Sequence, residues 1–251
     1  SHGAKRWINL LFFNLQPSEI IKITIPLMLA WLYHRFQNTI NYKIHSAAFI
    51  ILAIPCLIIF KQPDLGTAIL IGLSGFIIIF LAGLSLKFII VSIFGLLLAL
   101  PYFWSTLHLY QQNRVLSLID SARDPLGAGY HSIQSMIAIG SGGFLGKGWS
   151  YGSQTQLNFL PETTTDFIFS VYGEEFGLIG IIGILIIYFF ILYRCIDMAK
   201  KMQNTFSRLI TAALTFTLFI STFVNIAMVS GLIPIVGAPL PFVSYGGTSM
   251  V

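Results

Sequence analysis

Two carboxylates flank a run of three threonines just ahead of a long apolar stretch, at Glu162 and Asp166. A carboxylate held beside a hydroxyl group can accept its proton, which is general-base chemistry. The same spacing also fits a helix cap, because Thr163 followed three residues later by Asp166 resembles a capping box with Asp in the Glu position. The residues alone leave both interpretations open.

A second candidate site is the glycine-rich segment 140–149, which contains Lys147 and ends at Trp149. Because glycine has no side chain, its backbone amides can approach a ligand closely, and Lys147 could meet an anion such as a diphosphate. The Gly-Lys-Ser/Thr order of a P-loop is absent. The alternative is a loop in which the glycines only supply positive φ angles.

The elements that position these groups follow from the composition. The 251 residues are 56% hydrophobic and 9% charged, with 14 Lys and Arg against 9 Asp and Glu. Soluble proteins carry about 25% charged residues, so a soluble enzyme is excluded. So few cations also cannot form the basic stripe of a nucleic-acid binder. The two cysteines, Cys56 and Cys195, have no disulfide or metal-ligand pattern.

Long apolar runs predict an all-α polytopic membrane protein, since a helix that spans the hydrocarbon core needs about 20 mostly apolar residues. These runs are apolar on every face, unlike the alternating strands of a membrane barrel. We predict about six spans, with the start of a seventh near Ser244, in a single integral membrane domain over 1–251. The six runs are 17–34, 45–60, 65–84, 88–105, 167–193 and 209–231.

Lysine and arginine in the short loops predict the orientation, because they collect on the cytoplasmic side. One set of alternate loops holds Arg35, Lys43, Lys87, Arg194, Lys200, Lys201 and Arg208, and the other holds only Lys5, Arg6 and Lys61. The first set is therefore expected in the cytoplasm. This places the long segment 106–166 outside as one large extracytoplasmic loop, with an interfacial or re-entrant helix at 132–139.

Several charges lie at the ends of the spans or inside them. Glu19 and Lys22 share a helix face, so they either pair structurally or line a polar cavity. Asp64 is a candidate N-cap. Glu174 and Glu175 lie deeper and would be costly unless they face a wet cavity or pair with Lys22.

The segment from Asn225 to 247 combines three prolines with several glycines in an apolar region. Such a backbone is broken or re-entrant, which membranes tolerate only where it is buried in protein or lines a cavity. Ser244 and Tyr245, near the end of this segment, are candidate substrate contacts.

Taken together, these residues resemble the SEDS family (shape, elongation, division and sporulation) of bacterial membrane proteins, on its rod-shape side rather than its division side. Members have ten spans, so the resemblance implies about three helices before Ser1 and most of the last one after Val251. The segments that carry it are 16–19 with Lys22, 62–67, 124–134, 140–149, 159–162 with 165–168, and 225–247.

The resemblance implies an inverting peptidoglycan glycosyltransferase that polymerises lipid II at the outer face of the bacterial cytoplasmic membrane. Asp166 matches the family's essential carboxylate and is predicted to be the general base. The cations considered for the leaving diphosphate are Lys147, Arg123 and Lys22. The predicted substrate-binding residues are Glu19, Lys22, Asp64, Arg123, Gln134, Lys147, Trp149, Glu162, Ser244 and Tyr245.

The residues do not identify a cofactor. A divalent cation such as Mg²⁺ or Mn²⁺ is one option, and no metal-ligating residues are predicted. The implied partners are a class B penicillin-binding protein and other elongation-complex proteins. Two alternatives from other classes are a lipid II flippase and a non-catalytic scaffold that activates a penicillin-binding protein. The roles of Glu162, Glu174 and Glu175 are left open.

Overall fold

The computed structural model describes residues 8–9, 14–62, 65–106, 112, 116, 128–153, 164–235 and 237–245. Helices dominate this described part, and one two-residue antiparallel ladder pairs Ile8 with Leu15 and Asn9 with Asn14. The elements are β1 (Ile8–Asn9), β2 (Asn14–Leu15), α1 (Pro17–Arg35), α2 (Tyr42–Lys61), α3 (Leu65–Leu81), α4 (Leu86–Thr106), α5 (Ala128–Ser141), α6 (Ile168–Lys201) and α7 (Thr205–Val229).

Each of the six predicted spans coincides with one long helix, from α1 to α4 and then α6 and α7. Among the described residues α2, α6 and α7 are both long and apolar enough to cross a membrane on those two criteria alone. The all-α membrane class is therefore confirmed. The seventh span, expected to start near Ser244, falls on residues from 246 onward that lie outside the described part.

Large apolar side chains on the long helices are exposed rather than packed. On α6, Ile186, Phe189 and Phe190 are 61%, 72% and 62% exposed. A water-soluble protein rarely exposes an apolar patch of this kind, whereas lipid chains cover such a surface without penalty. The exposed surface of α6 is therefore suited to lipid.

The chain divides into two compact units, and the first comprises residues 1–88, 190–220 and 250–251. In it, α1, α2 and α3 pack on one another around fully buried side chains such as Leu29 and Ile71. A Cβ at Gly75 would lie 2.4 Å from Leu52 Cδ1, so glycine allows α3 to approach α2 closely.

The second unit comprises residues 89–189 and 221–249 and contains α5, the first part of α6 and the end of α7. The fully buried Ser135 of α5 links these helices. Its Oγ lies 2.7 Å from Ser170 Oγ on α6 and donates to Val229 O on α7 at 2.6 Å. The helix expected at 132–139 is thus the longer α5, and its buried face packs within this unit.

Candidate functional site

Helix α6 is broken at Gly177, which has φ 64° and ψ −161°. In an unbroken helix, Leu178 N and Ile179 N would donate to the carbonyls of Glu174 and Glu175, four residues earlier. The break frees two donors and two acceptors. The apolar run 167–193 predicts a continuous helix, so the break is a finding of the structure.

The glycine-rich segment 143–148 pairs with all four freed groups. Leu178 N and Ile179 N donate to Gly143 O and Phe144 O at 2.9 and 3.2 Å. In return, the amides of Lys147 and Gly148 donate to Glu174 O and Glu175 O, each at 3.0 Å. Since backbone N–H and C=O groups removed from water need hydrogen-bond partners, this pairing allows α6 to break. We call 143–148 the clamp loop.

Glu174 and Glu175, whose roles the sequence leaves open, bind residues of the clamp loop and of the segment that follows it with their side chains. Glu174 is fully buried, and its Oε1 accepts from Lys147 Nζ at 2.7 Å and from Ser153 Oγ at 3.1 Å. Glu175 Oε1 accepts from Ser150 N at 3.0 Å. Glu174 therefore pairs with Lys147, whereas Lys22 pairs with Glu19.

Close backbone contact explains why this region needs glycine. A Cβ at Gly146 would lie 2.1 Å from Glu175 O, and a Cβ at Gly177 would lie 2.3 Å from Gly146 N. Gly143, Gly146 and Gly148 also have φ angles of 58°, 78° and 99°. The interpretation of a loop that needs positive φ angles is therefore supported, and the backbone that its amides bind is that of α6.

Asp166 lies at the start of α6, two residues before the first helical residue, Ile168. It is therefore ahead of the first turn, and α6 has no acidic residue in that turn. This position does not fit the capping-box interpretation, which needs Asp166 inside the helix. Thr163 and Glu162 lie outside the described residues.

Buried hydrogen bonds hold the backbone around Asp166. The fully buried Asn225 donates through Nδ2 to Asp166 O at 2.8 Å and to Ala238 O at 2.6 Å. Ser244 Oγ donates to Thr165 O at 2.7 Å, and Tyr245 N donates to Thr164 O at 2.8 Å. The segment before α6 is therefore tied to α7 and to the chain that follows it.

The proline-rich segment 237–245 lies beside the Asp166 side chain. It does not form a helix, as its prolines predict. Gly237 has φ 70°, and a Cβ there would lie 3.4 Å from Asp166 Oδ2. Ser244 Oγ accepts from Leu240 N at 2.7 Å, and Tyr188 of α6 donates to Pro241 O. Asp166 is half-buried, and its Oδ2 lies beside the backbone of Gly237.

The structure places the remaining predicted residues in different ways. Lys22 Nζ donates to Glu19 Oε1 at 2.7 Å, so the predicted pair is confirmed. Ser244 is buried and hydrogen-bonded to Leu240 N and Thr165 O, whereas Tyr245 is exposed. Trp149 is 74% exposed, with its ring 5.8 Å from that of Phe176.

Gln134 is half-buried on α5, and Asp64 and Arg123 lie outside the described residues.

The role of Asn225 in holding Asp166 was not predicted from the sequence. An amide inside an apolar helix is an expensive residue unless it is hydrogen-bonded, and this cost was the available signal. Within the described ranges, no three His, Cys, Asp or Glu side chains lie close enough to hold a metal ion. The divalent cation considered above thus has no ready-made protein site among these residues.

Known proteins match this chain along its length. A family model described as a cell cycle protein, FTSW_RODA_SPOVE, matches residues 1–251. The peptidoglycan glycosyltransferase MrdB of Escherichia coli K12 is 48% identical over 252 residues, which cover 100% of this chain and 68% of the relative. The probable peptidoglycan glycosyltransferase FtsW of Geobacter sulfurreducens is 40% identical over 255 residues, covering 99% of this chain and 67% of the relative.

Solved structures share the fold across 100% of the chain. One comes from a study of how a peptidoglycan synthase complex coordinates polymerization and crosslinking, and it is 28% identical with a TM-score of 0.81 over 70% of that chain. The rod shape determining protein RodA of Thermus thermophilus is 25% identical with a TM-score of 0.67 over 65% of its chain. The resemblance predicted from the motifs is confirmed, and this chain belongs to the FtsW, RodA and SpoVE family of cell cycle proteins.

Proposed function

We propose that this integral membrane protein is a peptidoglycan glycosyltransferase that polymerises lipid II into glycan strands at the outer face of the bacterial cytoplasmic membrane during elongation. The observation that carries the proposal is the half-buried Asp166, whose backbone is held by Asn225 and whose Oδ2 lies beside Gly237. The names of the relatives support the same reaction class. A fixed carboxylate is suited to a reaction that needs one proton removed at a defined point.

Asp166 is the general base in this proposal. Its carboxylate takes the proton from the acceptor sugar hydroxyl while that oxygen attacks the anomeric carbon of the donor. The new glycosidic C–O bond forms as the bond from the anomeric carbon to the diphosphate oxygen breaks, so undecaprenyl diphosphate leaves with its electron pair. Attack opposite to the leaving group inverts the anomeric configuration.

The diphosphate needs positive charge, for which Lys147, Arg123 and Lys22 are the proposed sources. Lys147 Nζ is bound to Glu174, and Lys22 Nζ is bound to Glu19. A diphosphate at either ammonium must therefore compete with a carboxylate at 2.7 Å. Arg123 lies outside the described residues and keeps its predicted role. The exposed Trp149 ring offers a face on which a sugar can pack.

The loop charges give the proposed orientation of the protein. In it, α5 and the start of α6 lie on the outer side of the membrane, and the α6–α7 turn lies in the cytoplasm. A class B penicillin-binding protein is the proposed partner, since one structural relative belongs to a study of polymerization and crosslinking by one complex. Other elongation-complex proteins are partners proposed from the family resemblance alone.

The test is lipid II polymerisation by the full-length protein with its penicillin-binding partner in liposomes, with glycan strands separated on a gel. We expect strands from the pair and none from the partner alone. The same liposomes, loaded with labelled lipid II, report movement between leaflets. Movement without strands would favour the flippase, and strands from the partner alone would favour the scaffold.

Gly237→Ala is expected to reduce polymerisation about tenfold. The new methyl group would lie 3.4 Å from Asp166 Oδ2 and would occupy space that the acceptor hydroxyl needs beside that oxygen. It also strains a backbone at φ 70°, by roughly 1–2 kcal/mol for a residue with a side chain. The measurement is the initial rate of strand formation, compared with thermal stability in detergent.

Gly83→Ala is the matched control for this strain. Gly83 has φ 111°, and a Cβ there would meet nothing within 4 Å. The control should lose stability while keeping its rate. Equal rates in Gly237→Ala and the control would show that contact with Asp166 does not affect the rate of polymerisation.

A further inference from the structure

An apolar cavity of about 600 Å³ lies in the first unit, between the end of α3, the end of α6 and the start of α7. Leu81, Ile196 and Phe216 represent the three helices that line it. Among the described residues that line the cavity, the one hydroxyl, on Thr215, donates to Thr211 O of its own helix at 2.7 Å. The wall therefore offers a ligand no neutral polar group that needs a partner.

Two cations, Lys200 and Arg208, are the charged residues that line this cavity. Both lie beside the short turn between α6 and α7. From that turn the lining extends along α6 to Leu192 and along α7 to Phe219, or roughly 12–16 Å at 1.5 Å per residue. The cavity is therefore charged at one end and apolar along its length.

Among the described residues, the carboxylate nearest in sequence to the two cations is already bound to another ammonium. Asp197 is the only acidic residue after Glu175, and its Oδ2 is bound to Lys201 Nζ at 2.6 Å. Within the part of the chain that the structure describes, neither Lys200 nor Arg208 forms an ion pair. An anion at the mouth of the cavity would supply the missing negative charge.

We propose that this cavity binds an anionic phospholipid of the cytoplasmic leaflet, with an acyl chain in the apolar part and the phosphate at Lys200 and Arg208. Basic pockets between membrane helices on the cytoplasmic side suit anionic headgroups. The volume also falls in the range of small-molecule sites, about 300–1,000 Å³. The proposal uses the orientation predicted from the loop charges and is independent of the reaction at Asp166.

The experiment is native mass spectrometry of the full-length protein, titrated in detergent with phosphatidylglycerol or with zwitterionic phosphatidylcholine. The double variant Lys200→Gln, Arg208→Gln should bind phosphatidylglycerol about 25-fold more weakly, since each cation near a lipid phosphate contributes roughly a factor of five. Lys201→Gln is the matched control, because its ammonium is already paired with Asp197. It should bind like wild type.

Ala212→Trp is a second variant that fills the cavity and leaves both cations in place. It should also lose phosphatidylglycerol while melting at the wild-type temperature. Three results would overturn the proposal: equal binding of the two lipids by wild type, equal losses in Lys201→Gln and the double variant, or unchanged binding in Ala212→Trp. The last would mean that another segment of protein fills the cavity in the full-length chain.

Discussion

Asp166→Asn is expected to lower the rate of lipid II polymerisation by roughly 10²–10⁴-fold, the usual contribution of a general base. Asparagine keeps the size of the side chain, but its amide cannot take the proton from the hydroxyl of the acceptor sugar. The backbone contacts should survive, because Asn225 and Ser244 bind main-chain carbonyls rather than the carboxylate. The measurement is the initial rate of strand formation in liposomes, with thermal stability recorded for each protein.

Asp197→Asn is the matched control for this change. It removes a carboxylate from the opposite end of α6, where Asp197 binds Lys201 at 2.6 Å, and it should keep the full rate. A rate for Asp166→Asn within a few-fold of wild type would remove Asp166 from the chemistry. So would an equal loss in the control.

Titration with Mg²⁺ or Mn²⁺ separates a base from a metal ligand at Asp166. If the carboxylate holds a cation, Asp166→Asn should need more metal and should recover activity as the metal rises. If it is the base, the residual rate should stay low at every metal concentration. We expect the second result, since the proposed reaction uses the Asp166 carboxylate to take a proton from the acceptor hydroxyl.

The parts of the fold that sequence predicts well are those governed by length and hydropathy. Each of the long apolar runs became a helix, because every backbone group in a lipid-facing segment must be satisfied within that segment. The irregular backbone after α7 was also predictable, since Pro239 and Pro241 cannot donate to a helix. The pair of Glu19 and Lys22 followed from helical spacing alone.

The clamp of α6 was not predictable, because it depends on two segments that are distant in sequence. Glycine is common in membrane helices, so Gly177 gave no sign of a break, and nothing local links it to Gly146. The same limit applies to Asp166. Its position depends on Asn225 in the next long helix and on Ser244, about 80 residues away.

Gly146→Ala is expected to destabilise the protein by about 2–5 kcal/mol, combining left-handed backbone strain with overpacking. The φ angle at Gly146 is 78°, and the added methyl group would lie 2.1 Å from Glu175 O. Because that contact is with backbone, no side-chain rotation can relieve it. The clamp loop would have to move away from α6, and the amides of Lys147 and Gly148 would lose their acceptors.

The measurement is thermal unfolding in detergent, and Gly143→Ala is the matched control. Gly143 belongs to the same loop and has φ 58°, but a Cβ there would meet nothing within 4 Å. The control therefore carries the backbone strain alone, about 1–2 kcal/mol. Equal losses in the two variants would show that the close approach to Glu175 O is not what holds the break in α6. A much larger loss for Gly146→Ala is expected, because only there does the loop have to leave the four backbone groups that Gly177 frees.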